Sequence, residues 1–334
     1  MKALLCKEFG PPETLSYEDI DDPVISPGKV IVDIHSASVN FPDVLIIEDK
    51  YQFKPALPFS PGGEASGVIS EIGDGVEGFD IGDRVIVSSG WGCFVEKILV
   101  ESSSLTRIPD SMDFDTAASF LMTYGTSHHA LKDRADLKKG DSLLVLGAAG
   151  GVGLAAVEIG NAMGANVIAA ASTEEKVQIC RDHGAKEGLV YKTGELDRDE
   201  QKSLSNQIKD LTSGLGANVI YDPVGADYAE PSLRAIAWEG RYLVVGFAAG
   251  YIPKIPLNLA LLKGCQIVGV FWGAFKAQFP DLHNDNVADL LKMYEDGHLN
   301  PHISEVYDLS NGAKAIKDLA ERKAKGKIVV RVKS

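Results

Sequence analysis

Residues 143–153 read Leu143-Leu144-Val145-Leu146-Gly147-Ala148-Ala149-Gly150-Gly151-Val152-Gly153, an apolar run that leads straight into a glycine-rich segment. The apolar run is typical of a buried strand, and the segment after it is typical of a tight turn that opens a helix. Glycine at 150 lets the backbone approach a pyrophosphate closely, and glycine at 153 lets the helix pack tightly on the strand. The first helical turn offers N–H groups and a partial positive charge to phosphates. The segment therefore predicts a dinucleotide site formed by Ala149, Gly150, Gly151, Val152 and Gly153.

The spacing departs from the standard G-x-G-x-x-G motif, because Ala148 stands where the first glycine is expected. A glycine cluster alone is more often a simple turn, so the prediction depends on the strand before it and the helix after it. From about Ser142 onward, short apolar runs alternate with helical patterns. This alternation indicates βαβ units and a doubly wound parallel sheet with helices on both faces.

The two ends of the chain have a different pattern. The first 120 or so residues contain several β-rich segments with period-2 polarity, separated by Pro, Gly and Asp turns rather than by helical patterns. They predict a compact antiparallel β-domain. Residues 327–332 read as a closing strand with no local partner, which predicts that the chain returns to this first domain.

Composition excludes several classes of function. The 334 residues carry 33 Lys and Arg against 47 Asp and Glu, a formal charge of −14. Such a charge disfavours nucleic acid and anionic membrane surfaces as partners. The four cysteines are far apart and form no C-x-x-C motif, which fits a reducing compartment. The N-terminal residues do not resemble a signal peptide, so we expect a cytoplasmic protein without a membrane anchor.

The end of the second predicted strand indicates which nucleotide binds. NAD sites place an acidic residue there to bind the ribose hydroxyls. Here residues 167–171 lead into Ser172 and Thr173, with Lys176 close behind. Small hydroxyls and a lysine suit a 2′-phosphate, so we expect NADPH rather than NADH, with Ser172, Thr173, Lys176 and Tyr191 around that phosphate. The alternative is that Ser172 or Thr173 caps the next helix, with Glu175 in a capping-box position.

Motifs along nearly the whole chain resemble the zinc-free quinone oxidoreductase branch of the medium-chain dehydrogenase/reductase superfamily, whose members include ζ-crystallin. They are Met1-Lys2-Ala3, Val39-Asn40-Phe41-Pro42-Asp43, Pro61-Gly62-Gly63-Glu64-Ala65-Ser66-Gly67, Gly82-Asp83-Arg84-Val85, Thr123-Tyr124-Gly125-Thr126, Ala148-Ala149-Gly150-Gly151-Val152-Gly153, Asp222-Pro223-Val224-Gly225 and Gly326-Lys327-Ile328-Val329-Val330. The resemblance implies an α/β protein with a GroES-like β-domain from residues 1–122 and 275–334 and an inserted Rossmann domain from 123–274. It also implies a cleft between the two domains and a homodimer.

The resemblance assigns further site residues. It places Phe247 and the Phe271-Trp272-Gly273 segment near the nicotinamide. It places Asn40 at the nicotinamide edge, although an Asn completing the turn before Pro42 is the alternative. It also implies roles for Tyr51 as a proton donor or orienting group and for Thr126 against the nicotinamide face; a rim aromatic and a core threonine are their alternatives.

The sequence departs from the branch at several positions. Glu158 and Asn161 replace the usual Gln and Lys, Arg or Ser, and His128 replaces a common aromatic residue. Tyr51 also lacks the Gly and Pro that flank the matching tyrosine in related enoyl-thioester reductases. We expect Asp43 to bond backbone groups or a lysine and Glu64 to be a buried structural carboxylate.

No catalytic metal is expected. Zinc alcohol dehydrogenases use Cys and His ligands, and by the resemblance Asn40–Asp43 and Gly63 occupy those places. The remaining chemistry is hydride and proton transfer to a quinone or a conjugated enone. An enoyl-thioester reductase, and a non-enzymatic NADPH-binding protein, are the alternatives.

Overall fold

The structure is a computed structural model that describes residues 1–333, and it divides into two compact units. The first contains Met1–Met122 and the chain from Pro301 onward, and the second contains Thr123–Asn300. The first boundary coincides with the one expected from the sequence, but the second lies after Asn300 rather than after residue 274. The reason is that the helices at 272–278 and 280–295 pack in the second unit, where Phe275 stacks on His129 and Lys132 pairs with Asp289.

Strands form both ends of the chain and alternate with helices in its middle. The strands are β1 (Lys2–Leu5), β2 (Ser16–Asp19), β3 (Lys29–Val39), β4 (Glu64–Ile72), β5 (Arg84–Ser88), β6 (Lys97–Glu101), β7 (Leu105–Arg107), β8 (Ser142–Leu146), β9 (Asn166–Ala171), β10 (Glu187–Val190), β11 (Ala217–Asp222), β12 (Ile236–Val244), β13 (Gln266–Gly269), β14 (Ile303–Asp308) and β15 (Lys327–Arg331).

The helices are α1 (Phe41–Ile46), α2 (Phe114–Ala118), α3 (Thr126–His128), α4 (Gly151–Ala162), α5 (Glu174–Asp182), α6 (Arg198–Leu211), α7 (Ala229–Arg234), α8 (Asn258–Lys263), α9 (Trp272–Gln278), α10 (Pro280–Glu295) and α11 (Gly312–Ala320). Wider π-type turns, Leu121–Gly125 and His129–Arg134, flank α3 on both sides. Such turns are uncommon and occur frequently at functional sites.

The first unit is built on a mostly antiparallel sheet. Its strand order is β14-β15-β3-β4-β5-β7, and β6 also pairs with β3. The last strand, β15, pairs antiparallel with β3 so that Ile328 lies opposite Val39. This pairing confirms that the chain returns to the first domain, and it brings Lys327 next to the end of β3.

The second unit contains a parallel sheet in the order β10-β9-β8-β11-β12-β13. In chain order this is 3-2-1-4-5-6, the Rossmann order, which confirms the expected fold class. Ligands of such sheets bind at the carboxyl ends of the strands, where the strand order reverses. Here the reversal lies between β8 and β11, so the glycine-rich turn after β8 is at the expected place.

One helix–strand boundary differs from the sequence prediction. The sequence predicts a helix over 228–237 and a strand over 242–247; instead only the short helix α7 forms, and the strand runs from Ile236 to Val244. Ala217 on β11 pairs with Ile236, across an irregular register, which draws Ile236 and Ala237 into the sheet. Phe247 consequently lies in the loop after β12. Among residues 1–333, no helix combines the length and apolar character that crossing a bilayer requires.

Candidate active site

The glycine-rich turn leaves the first turn of α4 without a side-chain cap. Gly147 adopts a left-handed conformation with φ of 58°, and the Gly150 N–H donates to the Gly147 carbonyl at 2.9 Å. Gly150 is the N-cap of α4, so no side chain caps the N–H groups that follow it. The N–H groups at the start of α4 can therefore bind an anion, as the sequence predicts for Ala149–Gly153.

Gly153 is where the turn and the helix pack most closely. A Cβ atom at this position would overlap the Gly147 carbonyl oxygen and lie 2.9 Å from Ala148 Cα. Both neighbours are backbone atoms, which cannot rotate away. Any larger residue at 153 would have to displace the turn itself, which explains why the sequence has glycine there.

The residues predicted for the 2′-phosphate lie together at the end of β9. Thr173 is the N-cap of α5, and its hydroxyl accepts from the Lys176 N–H at 3.2 Å. The third helical position is thus Lys176 rather than Glu175, so no capping box forms here. Tyr191 joins this group because β10 pairs with β9 and the Tyr191 N–H donates to the Ala171 carbonyl at 3.0 Å. Ser172 and Lys176 are half-buried, and Thr173 is exposed.

The loop after β11 is fixed by Asp222, to which sequence reasoning gave no role. Its Oδ1 accepts from the N–H groups of Val224 and Gly225, both at 2.8 Å, and its Oδ2 accepts from the Tyr242 hydroxyl. Burial raises the pKa of Asp222, and these three donors oppose that increase. The carboxylate therefore fixes this loop at the end of the sheet that faces the glycine-rich turn.

The residues expected near the nicotinamide differ in how exposed they are. The Phe247 ring lies against Gly225, where an added Cβ would be 2.9 Å from its Cδ1, and 37% of Phe247 is exposed. Phe271 is 47% exposed, but Trp272 is buried with its indole against Gly125. Phe247, Phe271 and the Gly273 backbone thus remain available for a cofactor, whereas the Trp272 side chain is used in packing.

Thr126 is half-buried and begins the short helix between the two π-type turns. Its neighbour Ser127 donates to the Val152 carbonyl at 2.8 Å and lies 2.9 Å from the Tyr221 hydroxyl. Ser127 thereby links the turn that contains Thr126 to the first turn of α4. This contact could not be predicted from the sequence, because the two residues are 25 positions apart.

In the first unit, Asn40 belongs to a buried polar network. Its Oδ1 accepts from the Lys327 ammonium at 2.5 Å, and its Nδ2 lies 3.2 Å from Ser38 Oγ and 3.5 Å from Glu64 Oε2. The turn at the start of α1 is closed by Asp43, whose carboxylate accepts from the Asn40 N–H at 2.7 Å. Asn40 is thus the N-cap of α1 at the turn before Pro42, and its side-chain oxygen also binds Lys327.

Two carboxylates of this network are fully buried. Burial raises the pKa of Asp43 to about 7, although the Asn40 N–H stabilises its charged form. Burial also raises the pKa of Glu64, which accepts from the Met122 N–H at 2.8 Å and from Ser38 Oγ at 3.1 Å. Asp43 bonds backbone groups and Glu64 is a buried carboxylate, as the sequence predicts for each.

Tyr51 lies in the loop after α1, near this network. Burial, followed by the negative charge of Asp43, raises the pKa of its phenol. The phenol is half-buried, and its ring centroid lies 5.9 Å from that of Phe53. Tyr51 is thus protonated at neutral pH and can act as a hydrogen-bond donor.

Known families match both units. A family described as the alcohol dehydrogenase GroES-like domain matches residues 26–110, and one described as zinc-binding dehydrogenase matches residues 151–288. The quinone oxidoreductase-like protein 2 homolog of Nematostella vectensis is 38% identical over 336 residues, covering 99% of this chain and 89% of that protein. The chain belongs to the zinc-free quinone oxidoreductase branch of the medium-chain dehydrogenase/reductase superfamily.

Other proteins similar to this chain support the same assignment to a branch of oxidoreductases. Human quinone oxidoreductase is 32% identical over 334 residues, covering 99% of this chain and 97% of its own. The mycobacterial protein Rv1454c, solved in complex with NADPH, superposes with a TM-score of 0.91 at 28% identity, covering 99% of this chain and 100% of that one. These likenesses confirm the resemblance and the GroES-like plus Rossmann fold class.

Although one matching family is described as zinc-binding, the residues of this member do not fit a zinc site. At Gly63, a Cβ would lie 3.0 Å from Met122 Cε and 3.1 Å from the Gly90 carbonyl oxygen, so a histidine ligand here would have to displace these neighbours. The side-chain oxygen of Asn40 already accepts a hydrogen bond from the Lys327 ammonium. Within residues 1–333, no group of three or more His, Cys, Asp or Glu side chains has a metal-binding arrangement.

The structure explains why this chain has Glu158 where the branch usually has glutamine. The buried carboxylate accepts from the Tyr124 hydroxyl at 2.6 Å, from His183 Nδ1 at 2.5 Å and from the Asn300 N–H at 3.0 Å. A carboxylate only accepts, so it matches these donors, whereas a glutamine would direct an NH₂ group at one of them. Nearby, Asn161 packs its amide against Gly184.

His128, where the branch commonly has an aromatic residue, is buried, and its Nδ1 has no hydrogen-bond partner. Burial lowers the pKa of His128 to about 4; the Lys132 charge acts in the same direction, and Asp289 and Asp133 oppose it. An unfolded histidine titrates near 6.5. The folded protein therefore binds fewer protons here than the unfolded chain between about pH 6.5 and pH 4.

We expect His128 to make folding stability depend on acidity. Its contribution is fully present above pH 6.5 and is lost as the pH falls towards 4, by up to about 3 kcal/mol. His128→Phe should therefore flatten the decline in the free energy of unfolding between pH 6.5 and 4, measured by urea titration. An unchanged decline in the variant would contradict this.

Proposed function

We propose that this protein is an NADPH-dependent reductase that transfers hydride to a quinone or a small conjugated enone. The observation that carries the proposal is the uncapped first turn of α4, entered through Gly150 and packed through Gly153, at the strand-order reversal of a Rossmann sheet. The NADPH complex of the structurally similar mycobacterial protein Rv1454c supports it.

The preference for NADPH over NADH rests on the end of β9. No carboxylate directly follows the last residue of β9. Ser172 and Thr173 follow Ala171, and Lys176 lies in the first turn of α5. Tyr191 is brought beside them by the pairing of β10 with β9. The Ser172 hydroxyl, the Lys176 ammonium and the Tyr191 phenol together suit a 2′-phosphate, and the Thr173 cap is compatible with that role.

Lys176→Ala tests this preference. Removing a charge-assisted contact of about 1.5–3 kcal/mol should weaken NADPH binding roughly 10- to 100-fold. NADH affinity should not change, because NADH has no 2′-phosphate. Lys186→Ala is the matched control: Lys186 bonds Asn166 at the opposite end of β9. Equal losses for the two nucleotides in calorimetric titrations would contradict the assignment.

When bound, NADPH supplies the hydride. Reduction places negative charge on the oxygen of the acceptor, and a neutral donor stabilises that charge. We assign this role to the Asn40 amide, with the protonated Tyr51 phenol as a second donor and Thr126 as a contact for the nicotinamide. No metal takes part, since Asn40 and Gly63 do not provide zinc ligands.

The function is tested by following NADPH oxidation with a simple quinone, a small enone and crotonyl-CoA, with NADH alongside. We expect turnover with the quinone or the enone, a slower rate with NADH, and the same rate after dialysis against a chelator. Turnover confined to crotonyl-CoA would indicate the enoyl-thioester reductase. NADPH binding without reduction of any acceptor would indicate a non-enzymatic protein.

We also propose a homodimer formed at the edge of the second unit. Strand β13 ends the sheet of the described residues, and large apolar side chains around it are exposed: Trp238, Leu257, Leu261, Leu262 and Ile267. A sheet edge with unpaired backbone groups and an apolar surround favours pairing with a second copy. Light scattering should give twice the chain mass, and Leu261→Asp should reduce it; a wild-type monomer would contradict the proposal.

The setting we propose is the cytoplasm. The cysteines at 6, 93, 180 and 265 are all free thiols, as in a reducing compartment. The charge of −14 favours a small-molecule acceptor over nucleic acid or a membrane surface.

A further inference from the structure

Lys327 is a lysine buried inside the first unit. Its side chain is only 5% exposed, and its ammonium donates to Asn40 Oδ1 at 2.5 Å and to the Val39 carbonyl at 3.4 Å. The nearest carboxylate oxygen, Glu64 Oε2, lies 4.0 Å away. The strongest contact of this ammonium is therefore with an amide oxygen rather than with a counter-ion.

Burying a lysine is unfavourable, which makes its presence informative. Desolvation lowers the pKa of Lys327, and the charges of Glu64 and Asp43 oppose that decrease. A buried charge network of this kind contributes little to stability compared with apolar packing, so stability is a weak reason for it. The carboxylates have other partners, because Asp43 accepts from the N–H groups of Asn40 and Gly62, and Glu64 from that of Met122.

The lysine also determines the orientation of the Asn40 amide. An ammonium can only donate, so the atom of Asn40 that faces it is the oxygen, and the NH₂ group points the other way. A cation beside the oxygen of an amide polarises the amide and makes its N–H groups stronger hydrogen-bond donors. Nδ2 carries two hydrogens. Ser38 Oγ lies 3.2 Å from Nδ2, whereas the Ser38 carbonyl oxygen and Glu64 Oε2 each lie 3.5 Å from it. One donor position is therefore only weakly occupied.

We propose that Lys327 is a positioning residue of the reaction: its ammonium fixes and polarises the Asn40 amide so that Nδ2 donates to the acceptor oxygen. This inference rests on the proposed function. The pairing of β15 with β3 provides the geometric basis, since it places Lys327 beside the residue that ends β3. The first and last parts of the chain thus contribute to one hydrogen-bond donor.

A double-mutant cycle tests the inference. Asn40→Ala should lower kcat about 100-fold, as for loss of one oxyanion donor, and Lys327→Met should lower it roughly 10- to 100-fold with little change in the acceptor KM. If Lys327 acts through Asn40, the double variant should be no slower than Asn40→Ala alone. Lys333→Met, at an ion pair with Asp33 on the same terminal segment, is the control and should keep the wild-type kcat.

Each outcome decides the matter. Multiplied losses in the double variant, or a wild-type kcat for Lys327→Met, would overturn the inference while leaving the reductase function intact. If the wild-type protein oxidised NADPH with none of the tested acceptors, both the inference and the reductase function would be overturned. NADPH binding to every variant, a property of the second unit, separates these cases from a general loss of structure.

A measurement on the wild-type protein covers the case in which Lys327→Met does not fold. An amide held by an ammonium should be rigid, so the Asn40 side-chain ¹⁵N order parameter should be about 0.85, the value of ordered backbone. A value below about 0.6 would show a mobile amide and overturn the inference.

Discussion

Gly153→Ala is expected to weaken NADPH binding roughly 5- to 150-fold, since overpacking of this kind costs roughly 1–3 kcal/mol and each 1.4 kcal/mol is a factor of ten. The added Cβ would meet the Gly147 carbonyl oxygen and Ala148 Cα. Neither backbone atom can move without shifting the turn. The shift displaces the N–H groups of residues 151–153, whose positions determine how a pyrophosphate binds.

Gly160→Ala is the matched control, because it overpacks the same helix against the same strand. A Cβ at 160 would lie 2.5 Å from Leu143 Cδ2, far from the turn. Both variants should unfold at lower urea concentration, but only Gly153→Ala should lose affinity for NADPH in calorimetric titrations of folded protein. Similar NADPH affinities for the two variants would contradict the assignment of the turn.

Asn40→Ala is the second variant with a large expected effect. Loss of an oxyanion donor lowers kcat by about 10²–10³, and we expect a loss in this range with an unchanged NADPH dissociation constant. The variant also removes the acceptor of Lys327, so its free energy of unfolding should decrease as well. Steady-state kinetics under conditions where the variant is fully folded separates the two effects.

Ser38→Ala is the control for Asn40. Ser38 contacts the same Nδ2 and also Glu64, but we give it no contact with the acceptor. Its removal should affect kcat much less than Asn40→Ala does. If Asn40→Ala retained the wild-type kcat, the donor would have to be another group, with the Tyr51 phenol as the first candidate.

The parts of the fold that could be predicted from sequence are those with a local pattern. The strand, turn and helix over 143–162 carry their signal in consecutive residues, and the closing strand could be assigned because it lacked a local partner. The second unit boundary could not be placed, because α9 and α10 have the amphipathic pattern of any surface helix. Only contacts such as Phe275 with His129 show which unit they belong to.

Among the candidate site residues too, those with a local sequence pattern could be predicted. The glycines of the proposed phosphate-binding turn, such as Gly150 and Gly153, could be assigned from their spacing. Lys327 could not be assigned a role, because its partner Asn40 lies 287 residues away in the chain. A charged residue that begins an otherwise apolar strand is usually read as a solvated strand end, and only the pairing of β15 with β3 shows that it is buried.

We propose that the N–H groups at the start of α4 hold the pyrophosphate of NADPH. This proposal is tested most directly by following the backbone amide resonances of the ¹⁵N-labelled protein during titration with NADPH. We expect the largest shifts at Gly150, Gly151, Val152 and Gly153, at nucleotide concentrations where NADH produces smaller ones. Saturating NADPH that leaves these four resonances in place would contradict the account.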